Sequence, residues 1–153
     1  MKLPIFLVVL IVTFLLAGCS STSNSNTQQP ENAVEMTNEQ IFGEFQGLSD
    51  IQIEEKIKEF KGRQIKTTIN VGKIGNASLS SDYVVMAMYD YPYSSSPYIK
   101  AFFPAEEKDN LLKANIGDTI IFSGEFVTFK KSSIDTDYIE FTNSKLIEIK
   151  KNE

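Results

Sequence analysis

A nearly unbroken apolar run from Ile5 to Leu16, a polar stretch, a segment with apolar residues every three or four positions, and a long segment with apolar residues at alternate positions follow one another along the chain. The third of these predicts two short helices. Thr37-Asn38-Glu39-Gln40 has the spacing in which a hydroxyl accepts from the amide three residues on and the Gln reaches back, and Ile41, Phe42 and Phe45 then share a helical face. Gly47 stops this helix. Ser49-Asp50-Ile51-Gln52 repeats the signal, Ile53, Ile57 and Phe60 recur at helical spacing, and Glu54, Glu55, Lys56, Lys58 and Glu59 fill the outward face. Gly62 ends the second helix, and both apolar stripes read as core contacts rather than ligand sites.

After Gly62 the period falls to 2, the mark of strands. Ile65, Thr67, Ile69 and Val71 alternate with Gln64, Lys66, Thr68 and Asn70 in a first strand that ends near Gly72 or Gly75. A second runs from Tyr83 to Tyr89 and a third from Tyr98 to Phe103. Pro104 to Lys113 reads as a short helix with its acidic residues early, which suits the helix dipole. Gly117-Asp118 turns the chain into a fourth strand, Thr119 to Phe129, and a fifth starts at Tyr138 and extends toward Ile149. Five strands with a short helix between the third and fourth is the order of an OB-type barrel. The expected fold is therefore mainly β, a five-stranded OB-type barrel preceded by one or two short helices, in one domain over 36–153.

Ahead of this domain, Lys2, the apolar run and the small residues Ala17 and Gly18 have the charged, apolar and cleavage-site order of a secretory signal. Leu16-Ala17-Gly18-Cys19 at its end resembles a bacterial lipoprotein signal. The resemblance implies a signal peptide over 1–18, a mature chain starting at Cys19, a diacylglycerol thioether on the Cys19 thiol and acylation of the new amino group. Each buried methylene contributes about 0.8 kcal/mol, so two or three such chains hold a protein to a membrane. Other readings of the run compete with this one. A retained transmembrane helix would be only about the minimum span, and no block of positive charge follows it. A core helix would need an amphipathic pattern, and a soluble secreted protein cut at Ala17 or Gly18 would carry a free thiol near its terminus. From Ser20 to Glu35 the chain is rich in Ser, Thr, Asn and Gln, cannot offset its ordering entropy by burial, and reads as a flexible tether after the lipidated residue, over 19–35. Ser20 stands where an inner-membrane retention signal of enterobacteria has Asp, so an outer-membrane position follows in such a host.

Further along, Phe60-Lys61-Gly62-Arg63-Gln64-Ile65, Ala101-Phe102-Phe103, Leu111 through Asn115-Ile116-Gly117-Asp118-Thr119-Ile120 with Ser123-Gly124, and Ile139-Glu140-Phe141-Thr142-Asn143-Ser144 resemble the tRNA-anticodon-like OB-fold family found among bacterial lipoproteins. The resemblance covers about Glu39 to Ile149. It supports the fold better than any activity. The formal charge of -5 makes the chain a poor generic ligand for phosphate backbones or anionic headgroups, so nucleic acid is not expected as a partner despite the family's name.

Candidate chemistry is sparse. The chain has no His, which excludes a Ser-His-Asp triad, a Cys-His dyad and His-containing zinc sites, and acylation of its one cysteine would remove thiolate chemistry and any disulfide. Glu54 with Glu55, and Glu106 with Glu107, are adjacent on helices and diverge by about 100 degrees, so they read as solvated faces rather than acid and base pairs. Asp135 and Asp137 flank Thr136 like a fragment of a calcium loop without its remaining ligands. No enzyme activity, metal or cofactor is expected. One segment stands out, Tyr89-Asp90-Tyr91-Pro92-Tyr93-Ser94-Ser95-Ser96-Pro97-Tyr98, which sets amphipathic rings beside hydrogen-bonding groups as recognition surfaces do. Tyr89, Tyr91, Tyr93 and Tyr98 are the candidate ligand-binding residues, with Lys130 and Lys131 in the loop between the fourth and fifth strands. The competing reading has the rings capping a barrel end and the lysines solvated.

Two functions follow. The first is a membrane-anchored envelope lipoprotein whose OB domain is a non-catalytic binding module for a protein, peptide or glycan. The second is a structural or stress-related accessory lipoprotein of the envelope without a discrete ligand.

Overall fold

In the computed structural model of the protein, residues 32–78, 80–88, 97–132 and 136–152 are described. The apolar run, Cys19, nearly all of the expected tether, and Tyr89, Tyr91, Tyr93 and Asp135 lie outside them. Among the described residues no helix is long and apolar enough to cross a membrane.

Both N-terminal helices start on the caps expected of them. Helix α1 (Asn38–Gly43) opens with the Thr37 hydroxyl accepting from the Gln40 amide at 3.3 Å while the Gln40 side chain accepts from the Thr37 amide at 2.8 Å. At α2 (Asp50–Phe60) the Gln52 side chain accepts from the Ser49 amide at 2.9 Å. Gly62 then takes φ +83, a left-handed conformation open to glycine, and donates to the Phe126 carbonyl at 3.0 Å, which delivers the chain to the sheet.

The described residues form seven strands in chain order, with the helices interleaved: β1 (Val34–Glu35), β2 (Gln64–Asn70), β3 (Lys73–Asn76), β4 (Tyr83–Met88), β5 (Tyr98–Phe103), β6 (Thr119–Lys130) and β7 (Tyr138–Lys150). Between β5 and β6 lie a 3-10 turn, Ala105–Glu107, and the short helix α3 (Lys108–Leu111). The sheet order is β1-β2-β6-β7-β5-β4-β3. The fold is mainly β as expected, but where a five-stranded OB-type barrel was expected the described residues form an open sheet of seven strands. Part of the difference in number lies in the stretch read as one first strand. It breaks after Asn70, where the Val71 amide donates to Asp118 and the Gly72 amide to Met86. As a result β2 pairs with β6, while β3, which starts three residues later, pairs with β4. Val34 and Glu35, expected in the tether, add β1 in parallel to Ile65 and Lys66.

Period-2 patterning selects the buried face as expected. Ile65, Ile69, Val85, Ile99, Ala101, Phe103, Ile120, Phe122, Phe126, Ile139 and Phe141 are all 1% exposed or less. Burying such a side chain contributes about 1.5 to 3 kcal/mol. The helices complete this core at one end of β6, where Phe45 stacks on Phe126 and Phe129 with centroids at 5.8 and 4.5 Å, and Phe60 meets Phe126 at 5.5 Å. At the other end of β6, buried Asp118 ties the turn to the C-terminal segment. Its carboxylate accepts from the Asn115 amide at 2.7 Å and from Lys151 Nζ at 2.8 Å.

Candidate binding face

The faces of β4 and β5 that point away from the core carry an unusual set of residues. Tyr98, Lys100 and Phe102 alternate with buried Ile99, Ala101 and Phe103, and Val84 and Met86 do the same opposite them; all five are only half-buried. Lys73 lies beside Met86 on the neighbouring β3. Together with Gly75, Asn76, Ala77, Ser78 and Ser80 these residues line a groove of about 520 Å³.

The parallel pairing of β5 with β7 sets Tyr98 beside Tyr138 and Lys100 beside Glu140. The two tyrosine rings stack with centroids 5.2 Å apart and planes 19° from parallel. Lys100 Nζ sits 4.0 Å from the Tyr138 centroid and 5.4 Å from that of Tyr98. The cation is held by ring quadrupoles rather than neutralised. Among the described residues no carboxylate is paired with Lys73, Lys100 or Lys130.

Of the residues singled out in the sequence, Tyr98 lies on this face and Lys130 lies at its border, opposite Tyr138 across the β6–β7 pair. Lys131 does not join them: it is 3.8 Å from Asp50 at the start of α2. Tyr89, Tyr91 and Tyr93 fall outside the described residues. Lys73, Lys100, Phe102 and Tyr138 were missed. A signal for two of them was present in β5, whose outward positions carry an aromatic and a cation where a solvated strand face carries polar residues. No sequence signal marks Tyr138, because its role depends on a neighbour forty residues away in the chain, at Tyr98.

No protein family and no curated protein matches the sequence. Among solved structures, the chain is similar to the "putative nucleic acid-binding lipoprotein" from Klebsiella pneumoniae, with a TM-score of 0.54, 10% identity, and coverage of 76% of this chain and 92% of that one. It is also similar to OBody AM3L09 bound to hen egg-white lysozyme, with a TM-score of 0.40, 14% identity and coverage of 60% and 83%. A third likeness is to Schizosaccharomyces pombe Pot1pC bound to ssDNA, with a TM-score of 0.34, 9% identity and coverage of 57% and 81%. The last two scores are too low to add to the first.

The exclusion of nucleic acid is overturned. A protein of the same fold is named both a lipoprotein and nucleic acid-binding, so the two properties are compatible. Net charge was also the wrong measure, because it averages over the molecule. Among the described residues the groove is lined by Lys73 and Lys100 and by no Asp or Glu, with Glu140 beside Lys100 on the neighbouring strand. At these identities the likeness shows the fold alone, and the fold is OB-like.

Proposed function

We propose that the chain is a lipid-anchored envelope lipoprotein, attached through Cys19, whose OB-like domain is a non-catalytic binding module using the groove on β3, β4 and β5 and the adjoining Tyr138. The observation that carries this reading is Lys100, paired with no carboxylate among the described residues and set against two stacked tyrosines on a half-buried, outward sheet face. Rings that offer a π-face beside lysines that follow a backbone are the two components of a site for single-stranded nucleic acid. The name of the Klebsiella protein favours the same ligand. A protein, peptide or glycan is the second reading, favoured by Asn76, Ser78 and Ser80 along the rim, which supply neutral hydrogen-bonding groups.

The test is a titration of the full chain against labelled single-stranded oligonucleotides at several salt concentrations. With Lys73, Lys100 and Lys130 each displacing a counterion, the slope of log K against log salt should be about -2, and Lys100→Ser should reduce its magnitude by about 0.7. Binding of a glycan or peptide with no such slope would move the assignment to the second reading. Binding of none of these would leave an accessory envelope lipoprotein without a discrete ligand.

A further inference from the structure

Beyond the groove, a different part of the surface is unusual. Leu112 and Ile116 are 72% and 76% exposed, although they belong to a loop whose backbone is closely tied. Within that loop Leu111 and Ala114 are buried. The Gly117 amide donates to Val71 at 2.8 Å, the Asn115 amide to Asp118 at 2.7 Å, and the Asn152 side chain to the Gly117 carbonyl at 2.6 Å. Lys151 donates both to the Lys113 carbonyl and to Asp118. Loop mobility therefore does not explain the exposure: the turn is fastened on its inner side while two large aliphatic side chains stand in water on its outer side. Single exposed apolar residues need no explanation, but two within five positions on a tied turn form a preset protrusion. Lys113 and Lys150, both exposed, flank it.

We propose that this loop is a membrane contact, with Leu112 and Ile116 entering the headgroup and acyl boundary of the bilayer that holds the lipidated Cys19. The proposal rests on the lipid-anchor reading above. Chain length supports it. From Cys19 to Val34 is fifteen residues, about 50 Å at full extension. Val34 enters the sheet beside Ile65, and Ile65 lies opposite Gly124, which is five residues along β6 from its loop-side end at Thr119. That distance is about 17 Å, so the tether spans it easily with the loop resting on the membrane. Interfacial Leu and Ile with nearby lysines are the pattern of elements that lie in a bilayer surface.

The experiment uses the full lipidated chain in vesicles of phosphatidylethanolamine and phosphatidylglycerol. With Cys19 acylated, Asn115→Cys gives a single labelling site inside the loop without touching either aliphatic residue, and Glu54→Cys on α2 gives a control at the opposite end of β6. The expected result is a blue-shifted emission at position 115 that is quenched by lipid-borne spin labels, no quenching at position 54, and loss of both effects at 115 when Leu112 and Ile116 are both changed to Ser. A label at 115 that stays in water while the protein floats with the vesicles overturns the loop contact and leaves the anchor standing. Failure of the protein to float at all overturns the anchor reading and the contact with it.

Discussion

The two faces of β5 differ in cover more than in chemistry. Inward, Ile99, Ala101 and Phe103 are fully buried, and Phe103 meets Phe122 edge-on with centroids 5.7 Å apart. Outward, Tyr98, Lys100 and Phe102 carry two rings to the inner face's one, yet they stay half-buried beside an open groove. An aromatic residue on a strand is thus part of the core or part of a surface according to what packs over it. This distinction separates residues whose loss should unfold the domain from residues whose loss should cost only a ligand.

The strongest way to break that comparison is on the covered side. Phe103→Ala should cost about 3 to 5 kcal/mol, because the transfer free energy and an unfilled cavity add. Urea unfolding reads it directly, and a loss below about 1 kcal/mol would mean that the core is far looser than its burial indicates.

A smaller effect is expected from adding one methyl group to the same core. A Cβ at Gly124 would lie 2.8 Å from Ser144 Oγ, 3.1 Å from Phe141 Cβ and 3.3 Å from the Phe122 ring, where β6 bulges against β7. Gly124→Ala should therefore destabilise by about 1 to 3 kcal/mol through overpacking. An unchanged midpoint in the same unfolding assay would contradict this close approach.

Asp118 tests whether cover matters for a polar group as well. Its carboxyl is held below the usual carboxylate range, first by the Lys151 ammonium and then by the Asn115 amide. The folded state binds this proton less tightly than the unfolded state, so the group's contribution is present in full above its unfolded value near 3.8 and is lost as pH falls through the lower folded value. Asp118→Asn should lower the melting temperature at neutral pH by about 3 to 6 °C and should flatten the acid limb of the profile. Equal losses at neutral pH and at pH 2 would show that charge has no part in the latch.

The smallest effect on stability is expected from the open side. Tyr98→Ser removes a ring stacked on Tyr138, worth about 0.5 to 1.5 kcal/mol. Its larger consequence should be in binding, where truncation of an aromatic anchor commonly costs about 2 kcal/mol. A melt that collapses with this substitution would move Tyr98 from the surface to the core.

Much of this architecture was legible beforehand. The capping boxes at Thr37 and Ser49, the glycine stop at Gly62 and the inward alternation of Ile99, Ala101 and Phe103 all depend on residues a few positions apart, and local sequence contains that information. Periodicity also chose the face of each strand, since a shift by one residue would have turned its apolar set to water. The helix expected from Pro104 to Lys113 was only partly right: a 3-10 turn takes its first residues and α3 is four residues long.

The amino-acid sequence by itself determined which residues are apolar enough to be covered, where the helices begin and which strand face turns inward, because these follow from side-chain chemistry and the local backbone repeat. The tertiary structure alone decided which strands are neighbours. The break at Val71 and Gly72, the joining of Val34 to Ile65 and the parallel pairing that lays Tyr98 on Tyr138 all depend on contacts between segments distant in the chain. A period of two specifies a face but no partner, so the stacked tyrosines with Lys100 against them came into view only once the sheet was assembled.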